Sequence, residues 1–92
     1  MTITCDPGKR AKTLAQRGLD SYDVALVFEG SVFTREDDRF DYGERRFVTV
    51  GALLGRDVVF VWTPRRHATH VISMRKANAR ETRFYRQALA QS

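Results

Sequence analysis

Arg75 ends a predicted strand and stands just ahead of a helix start at Asn78, where unpaired backbone N–H groups attract anions. Arg46 opens an earlier predicted strand and is placed to meet Arg75 across a sheet. Glu81 follows Asn78 at capping-box spacing, and Tyr85 lies one turn further along the same helix. These residue types suit phosphodiester cleavage. A base takes the proton of a ribose 2′-hydroxyl, an acid protonates the leaving oxygen, and cations steady the charge on phosphorus. Arg46 and Arg75 would grip the phosphate, Tyr85 would stack on a base or position a proton, and Glu81 would act as general base. Each has a structural reading beside it. Arg75 is also a surface arginine closing a strand, Glu81 a helix cap and organiser of arginines, and Tyr85 a partly buried amphipathic side chain.

The charge distribution points to the same partner. The chain of 92 residues carries a net charge of +5, and 13 of its 16 cations are arginine. Arginine presents a planar fork that takes two phosphate oxygens at once, which lysine does not. From Val58 onward the basic residues are Arg65, Arg66, Arg75, Lys76, Arg80, Arg83 and Arg86, against Glu81 as the one acid. Residues 1–57 hold 9 basic and 10 acidic side chains and are nearly neutral. A segregated basic cluster is the footprint of a polyanion, here read as RNA, with Arg65, Arg66, Lys76, Arg80 and Arg83 on its backbone. The plainer reading is a solvated basic surface that binds nucleic acid without sequence preference.

Cys5 is the only cysteine, so no intrachain disulfide forms, and with His67 and His70 it does not complete a usual zinc set. No cofactor or metal is expected, and the acidic run Glu36-Asp37-Asp38 reads as solvated loop. A reducing, cytoplasmic setting is the simplest home. The N-terminal residues lack the pattern of a signal peptide, and no apolar run approaches the ~20 residues that span a bilayer. His70 alternates onto the Ile72/Met74 side of its strand and is expected at the core boundary. His67 falls in a basic turn.

One domain over 1–92 must position these groups. Asp6-Pro7 reads as a helix start and Gly18 as its stop. A second, more apolar helix runs from Asp20 to Gly30, giving an N-terminal helical pair. Ile3–Cys5 is a short possible strand. Strands follow at Ser31–Arg35, Arg46–Val50, Val58–Trp62 and Thr69–Arg75, with a mobile polar loop over Glu36–Arg45 and a hairpin connection around Gly55-Arg56-Asp57. Pro64 is expected to end the Val58–Trp62 strand, and Arg65-Arg66-His67 to form a turn. A final helix opens at Asn78 and turns Phe84, Ala88 and Leu89 inward. The expected fold class is α+β: the helical pair, an antiparallel β-sheet of about four strands, and a C-terminal helix.

Several blocks resemble the BrnT family. They are Asp6-Pro7-Gly8-Lys9 followed by Gly18, Ala25 with Phe28, Glu44-x-Arg46-Phe47 with Gly51, and Ile72-Ser73-x-Arg75-x-Ala77-x-x-x-Glu81-x-x-x-Tyr85. The resemblance implies a RelE-like domain and a type II toxin that cuts RNA without a metal and blocks translation. It implies neutralisation by a BrnA-type antitoxin, and repression of operator DNA by the toxin–antitoxin complex. Carried over by position, the family's recurring polar residues are Lys9, Arg46, Arg75, Glu81 and Tyr85. The chain departs from the family at the end of the first helix: Gln16-Arg17-Gly18 stands where Lys-His-Gly is usual, and Arg17 supplies charge in place of that histidine. Three readings follow. One is an endoribonuclease toxin. The second is a non-catalytic nucleic-acid-binding or operon-regulating protein. The third is an inactive toxin homologue acting through its protein partner.

Overall fold

A computed structural model describes residues 1–91; Ser92 lies outside them. The order is β1 (Thr2–Cys5), α1 (Pro7–Arg17), a 3-10 turn (Ser21–Asp23), α2 (Val24–Glu29), β2 (Phe33–Asp37), β3 (Arg46–Leu53), β4 (Arg56–Arg65), β5 (Ala68–Lys76) and α3 (Ala79–Ala90). The strands form one mixed sheet in the order β1-β5-β4-β3-β2. The expected sheet of about four antiparallel strands is therefore corrected to five, with β1 parallel to β5. Hairpin spacing reveals β2 to β5, whereas β1 pairs with residues more than sixty positions away and leaves no local signal.

The helix ends follow their sequence signals. Asp6 accepts from the Lys9 N–H at 2.8 Å, Pro7 opens α1, and Gly18 closes it at φ +67°. The second helix of the expected pair is shorter than its apolar run suggests. Asp20 caps the 3-10 turn rather than an α-helix, and α2 begins only at Val24. Gly51 lets α2 rest on β3: a Cβ there would lie 2.5 Å from Val27 Cγ1.

Two cores sandwich the sheet. Leu19, Val24, Val27, Leu53, Val58, Phe60, Val71 and Met74 fill the face under α2, with Phe28 and Trp62 packed against them. Val50, Val59 and Tyr85 fill the face under α3, with Phe33, Val48 and Leu89 beside them. Tyr85, rather than Phe84, is the anchor of α3; Phe84 is 53% exposed and meets Phe33 edge-on with ring centroids 5.0 Å apart.

Three local expectations shift. The β3–β4 hairpin turns at Leu54-Gly55, both at positive φ (49° and 82°), in the manner of a type I′ turn. Strand β4 runs through Pro64 to Arg65, because β3 no longer flanks it there and the missing N–H disrupts no central ladder. The first two residues of the expected mobile loop, Glu36 and Asp37, belong to β2.

The largest difference lies in β5. Val61 pairs with Ser73, but Trp62 pairs with Val71, so Ile72 is an extra residue in a β-bulge. Val71 and Met74 therefore bury into one core, although simple alternation would separate them. His70 leaves the expected core side for the face that carries Ser73 and Arg75.

Candidate functional site

The sheet face under α3 is covered by that helix at one end and lies clear of it at the other, the open end. Directly paired strand residues share a face, and so do residues two apart. The pairs Phe33↔Val50↔Val59↔Arg75 make a first row beneath α3. Arg35↔Val48↔Val61↔Ser73 make a second. Asp37↔Arg46, then Thr63↔His70↔Thr4, lie along a third. Strand alternation adds Arg65 beyond Thr63. This one surface thus collects Arg35, Arg46, Arg65, His70, Ser73 and Arg75.

At the covered end, Glu81 organises the cations. Its Oε1 and Oε2 accept from Arg75 Nη1 and Nη2 at 2.6 and 2.7 Å. Its Oε1 also accepts from the Asn78 N–H at 2.9 Å, completing the capping box of α3. Arg75's hydrogen bonds, aided by that N–H, hold the Glu81 carboxyl down at about 2, and the same pairing raises the Arg75 pKa. Glu81 is thus a fixed anion while the pair persists, too weak a base for efficient proton abstraction near neutrality. Beside it a concavity of about 240 Å³ is lined by Phe33, Arg35, Val48, Val50, Arg80, Glu81 and Phe84. Apolar rings and two guanidinium groups there suit a base with its attached phosphate.

Arg46 occupies the open end. Its guanidinium lies 4.0 Å over the Tyr42 ring, and Nη2 is 3.7 Å from Glu44. Its Nε is buried without a hydrogen-bond partner. Glu44 also meets Arg65 at 3.4 Å. Nearby, Asp37 is almost fully buried, and two bonds from the Arg39 guanidinium, helped by the Arg39 N–H and the Tyr42 hydroxyl, hold its carboxyl at about 2.

Arg46 and Arg75 share a face but do not touch. They lie two strands and two rows apart, roughly 16 Å between Cα atoms at ordinary sheet spacings. Neither lines the concavity itself. Arg75 reaches it through Glu81, and Arg46 is two residues from Val48 on the same side.

Lys9 approaches from α1, which continues beyond β1 along the free edge of β5. It lines a groove of about 230 Å³ with Lys12, Arg17, Ser73 and others. Arg17 donates to the Met74 carbonyl at 2.7 Å and shares a neighbouring groove with Arg75 and Lys76. Arg66 sits exposed in the β4–β5 turn at φ 55°, and Arg83 is exposed on α3.

Tyr85 is drawn away from this surface. It is 4% exposed, and its hydroxyl donates to the Ser31 carbonyl at 2.6 Å, tying α3 to the segment before β2. Burial raises its pKa. Arg35 and Glu44 were not among the sequence-predicted site residues. Arg35 sits two residues after Phe33, a signal visible only once β2 is known to pair with β3 in this register.

Among the described residues, no three His, Cys, Asp or Glu side chains are grouped to hold a metal ion. No helix among the described residues is long and apolar enough to cross a membrane. A family model described as ribonuclease toxin, BrnT, of type II toxin-antitoxin system matches residues 5–81. The matched span includes Lys9, Arg46, Arg75 and Glu81 and ends before Tyr85. No curated protein matches the chain.

Proposed function

The chain belongs to the BrnT family of ribonuclease toxins of type II toxin–antitoxin systems, and from that premise we propose that it cuts RNA on the open sheet face without a metal ion and thereby halts translation. The observation that carries the reading is the gathering of Arg35, Arg46, Arg65 and Arg75 onto one side of the sheet by strand register. Guanidinium groups held in place before the substrate arrives stabilise a phosphorane-like charge without reorganising.

In this mechanism an RNA strand lies across the open face. Lys9 and Arg75 grip the phosphate chain from the β5 edge, and Arg46 meets it from β3. Arg65, Arg66, Lys76, Arg80 and Arg83 extend the contact as backbone-binding cations. One base lies in the concavity against Phe33 and Phe84. Glu81 keeps Arg75 aligned until a phosphate competes for the same fork. Tyr85 serves by fixing α3.

The antitoxin of the pair, of BrnA type in this reading, neutralises the chain by covering the same basic face, and the complex represses its operator DNA in the cytoplasm. Incubation of the purified, antitoxin-free chain with RNA in EDTA tests the proposal. Cleavage that persists supports it. Tight RNA binding without cleavage would replace it with a non-catalytic nucleic-acid-binding role.

A further inference from the structure

Arginines and a lysine stabilise charge, but cleavage also needs a group that takes a proton near neutral pH. Tyr85 is buried and Glu81 is locked to Arg75, so neither supplies one in this geometry. The bulge at Ile72 changes what else is available. It turns His70 onto the arginine face, opposite Thr63 on β4 and Thr4 on β1. Bulges often re-aim a side chain in this way beside an active site.

We infer that His70 is the general base of this ribonuclease, held by Thr4 and facing Arg46 across Thr63. The inference rests on the enzymatic reading above. Thr4 Oγ1 and His70 Nδ1 are 2.8 Å apart, a bond between strands 66 residues apart in sequence. In the proposed tautomer, whose Nδ1–H donates to Thr4, Nε2 carries the free lone pair. Among the described residues no partner engages Nε2. Arg46 stands one position past the pair Phe47↔Trp62 and therefore beside Thr63. Its Cα is roughly 10 Å from that of His70 at ordinary strand spacing, with the buried Thr63 between them.

The charged groups around His70 are Arg65 on β4, Glu44 in the β2–β3 loop, and Asp6 and Lys9 at the start of α1. Burial, followed by Arg65, lowers its pKa, with Lys9 acting in the same direction and Glu44 and Asp6 opposing. The imidazole is therefore neutral at physiological pH, the state a base requires.

The step balances with water as the proton source. His70 Nε2 takes the proton of the 2′-hydroxyl while O2′ forms its bond to phosphorus. The P–O5′ bond breaks, its electron pair stays on O5′, and O5′ takes a proton from water. The resulting hydroxide receives the proton from the imidazolium. The products are a 2′,3′-cyclic phosphate and a 5′-hydroxyl.

The test compares wild type, His70→Ala and His70→Gln as antitoxin-free chains on one RNA, across pH 5 to 8, with and without added imidazole. We expect wild-type cleavage to fall as pH drops through the histidine pKa. His70→Ala should lose about 100-fold or more in rate and lose that acid limb. Imidazole should restore a measurable part of the rate to His70→Ala, which a merely structural role would not allow. His70→Gln keeps most of the bulk and a polar group without an imidazole and should remain folded but inactive. If both variants cut as fast as wild type with the same pH profile, His70 is not the base and the nuclease reading stands. A loss that imidazole does not relieve, with His70→Gln active, also overturns the inference. A wild-type chain that cuts no RNA overturns the enzymatic reading and this inference together.

Discussion

Arg75 and Glu81 meet across the junction of β5 and α3 as a two-bond ion pair, and the same carboxylate caps the helix through the Asn78 N–H. One side chain thus fixes both the start of α3 and the aim of an arginine.

Glu81→Ala should lower stability by about 1 kcal/mol at neutral pH, the usual scale for a lost cap interaction. The sign of the pH dependence follows from its carboxyl lying at about 2 when folded, below the ordinary 4.5. The folded state holds the ionised form more firmly than the unfolded chain does. The stabilisation is therefore complete above about pH 4.5 and disappears as pH falls through about 2. Urea titrations of both proteins between pH 2 and 7 should show the gap closing on the acid side.

Arg75→Ala should leave the fold intact and abolish growth arrest on expression. In vitro cleavage should fall by about 100-fold or more, the scale for removing one donor to a developing oxyanion. Arg75→Lys should not restore it, because an ammonium cannot reproduce the fork. Full toxicity in a folded Arg75→Ala variant would remove Arg75 from the site.

Tyr85→Phe separates architecture from chemistry. It deletes the bond to the Ser31 carbonyl and should cost about 1 kcal/mol. Its cleavage rate, measured well below its melting temperature, should match wild type. A folded Tyr85→Phe chain with strongly reduced cleavage would return the hydroxyl to the mechanism.

Gly51→Ala should destabilise by about 1–3 kcal/mol, since its methyl would push into Val27 and Val32 beneath α2. Gly30→Ala provides the contrast, because its Cβ would meet nothing closer than 3.7 Å. Thermal melts of the two variants should therefore diverge.

Leu54→Asn should raise stability by about 0.5–1 kcal/mol, a Tm gain of several degrees in a domain of this size. Leu54 is 83% exposed and holds a left-handed φ of 49°, so it contributes no burial and carries backbone strain that asparagine tolerates better.

Local chemistry made most elements readable. Asp6-Pro7 and Gly18 bound α1, and Asn78 with Glu81 opens α3, as their side-chain bonds require. The apolar run at Val58–Trp62 lies within the central strand β4 and feeds both cores. Non-local geometry was not readable. Nothing near Ile72 announces a bulge, so the sides of Val71 and His70 came out reversed. Nothing near Thr2–Cys5 announces a parallel partner. Glu81 was legible as an organiser of arginines, although Arg75, six positions earlier, was not singled out as its partner. The distance from Arg46 to Arg75 depends on the registers of two hairpins, which no local signal sets. Tyr85 and Phe84 exchanged roles because a small rotation of α3 decides which ring meets Val50 and Val59.

The parallel placement of β1 carries a consequence for biosynthesis. This segment is synthesised well before β5, which is its only strand neighbour among the described residues. Joining such distant stretches is slow, because a long loop must close before any contact rewards it. A polypeptide halted before Ala68 has no β5 against which β1 can dock, and it lacks Arg75 altogether. Translation products that stop before β5 would therefore lack both the completed sheet and the arginine proposed to grip the phosphate.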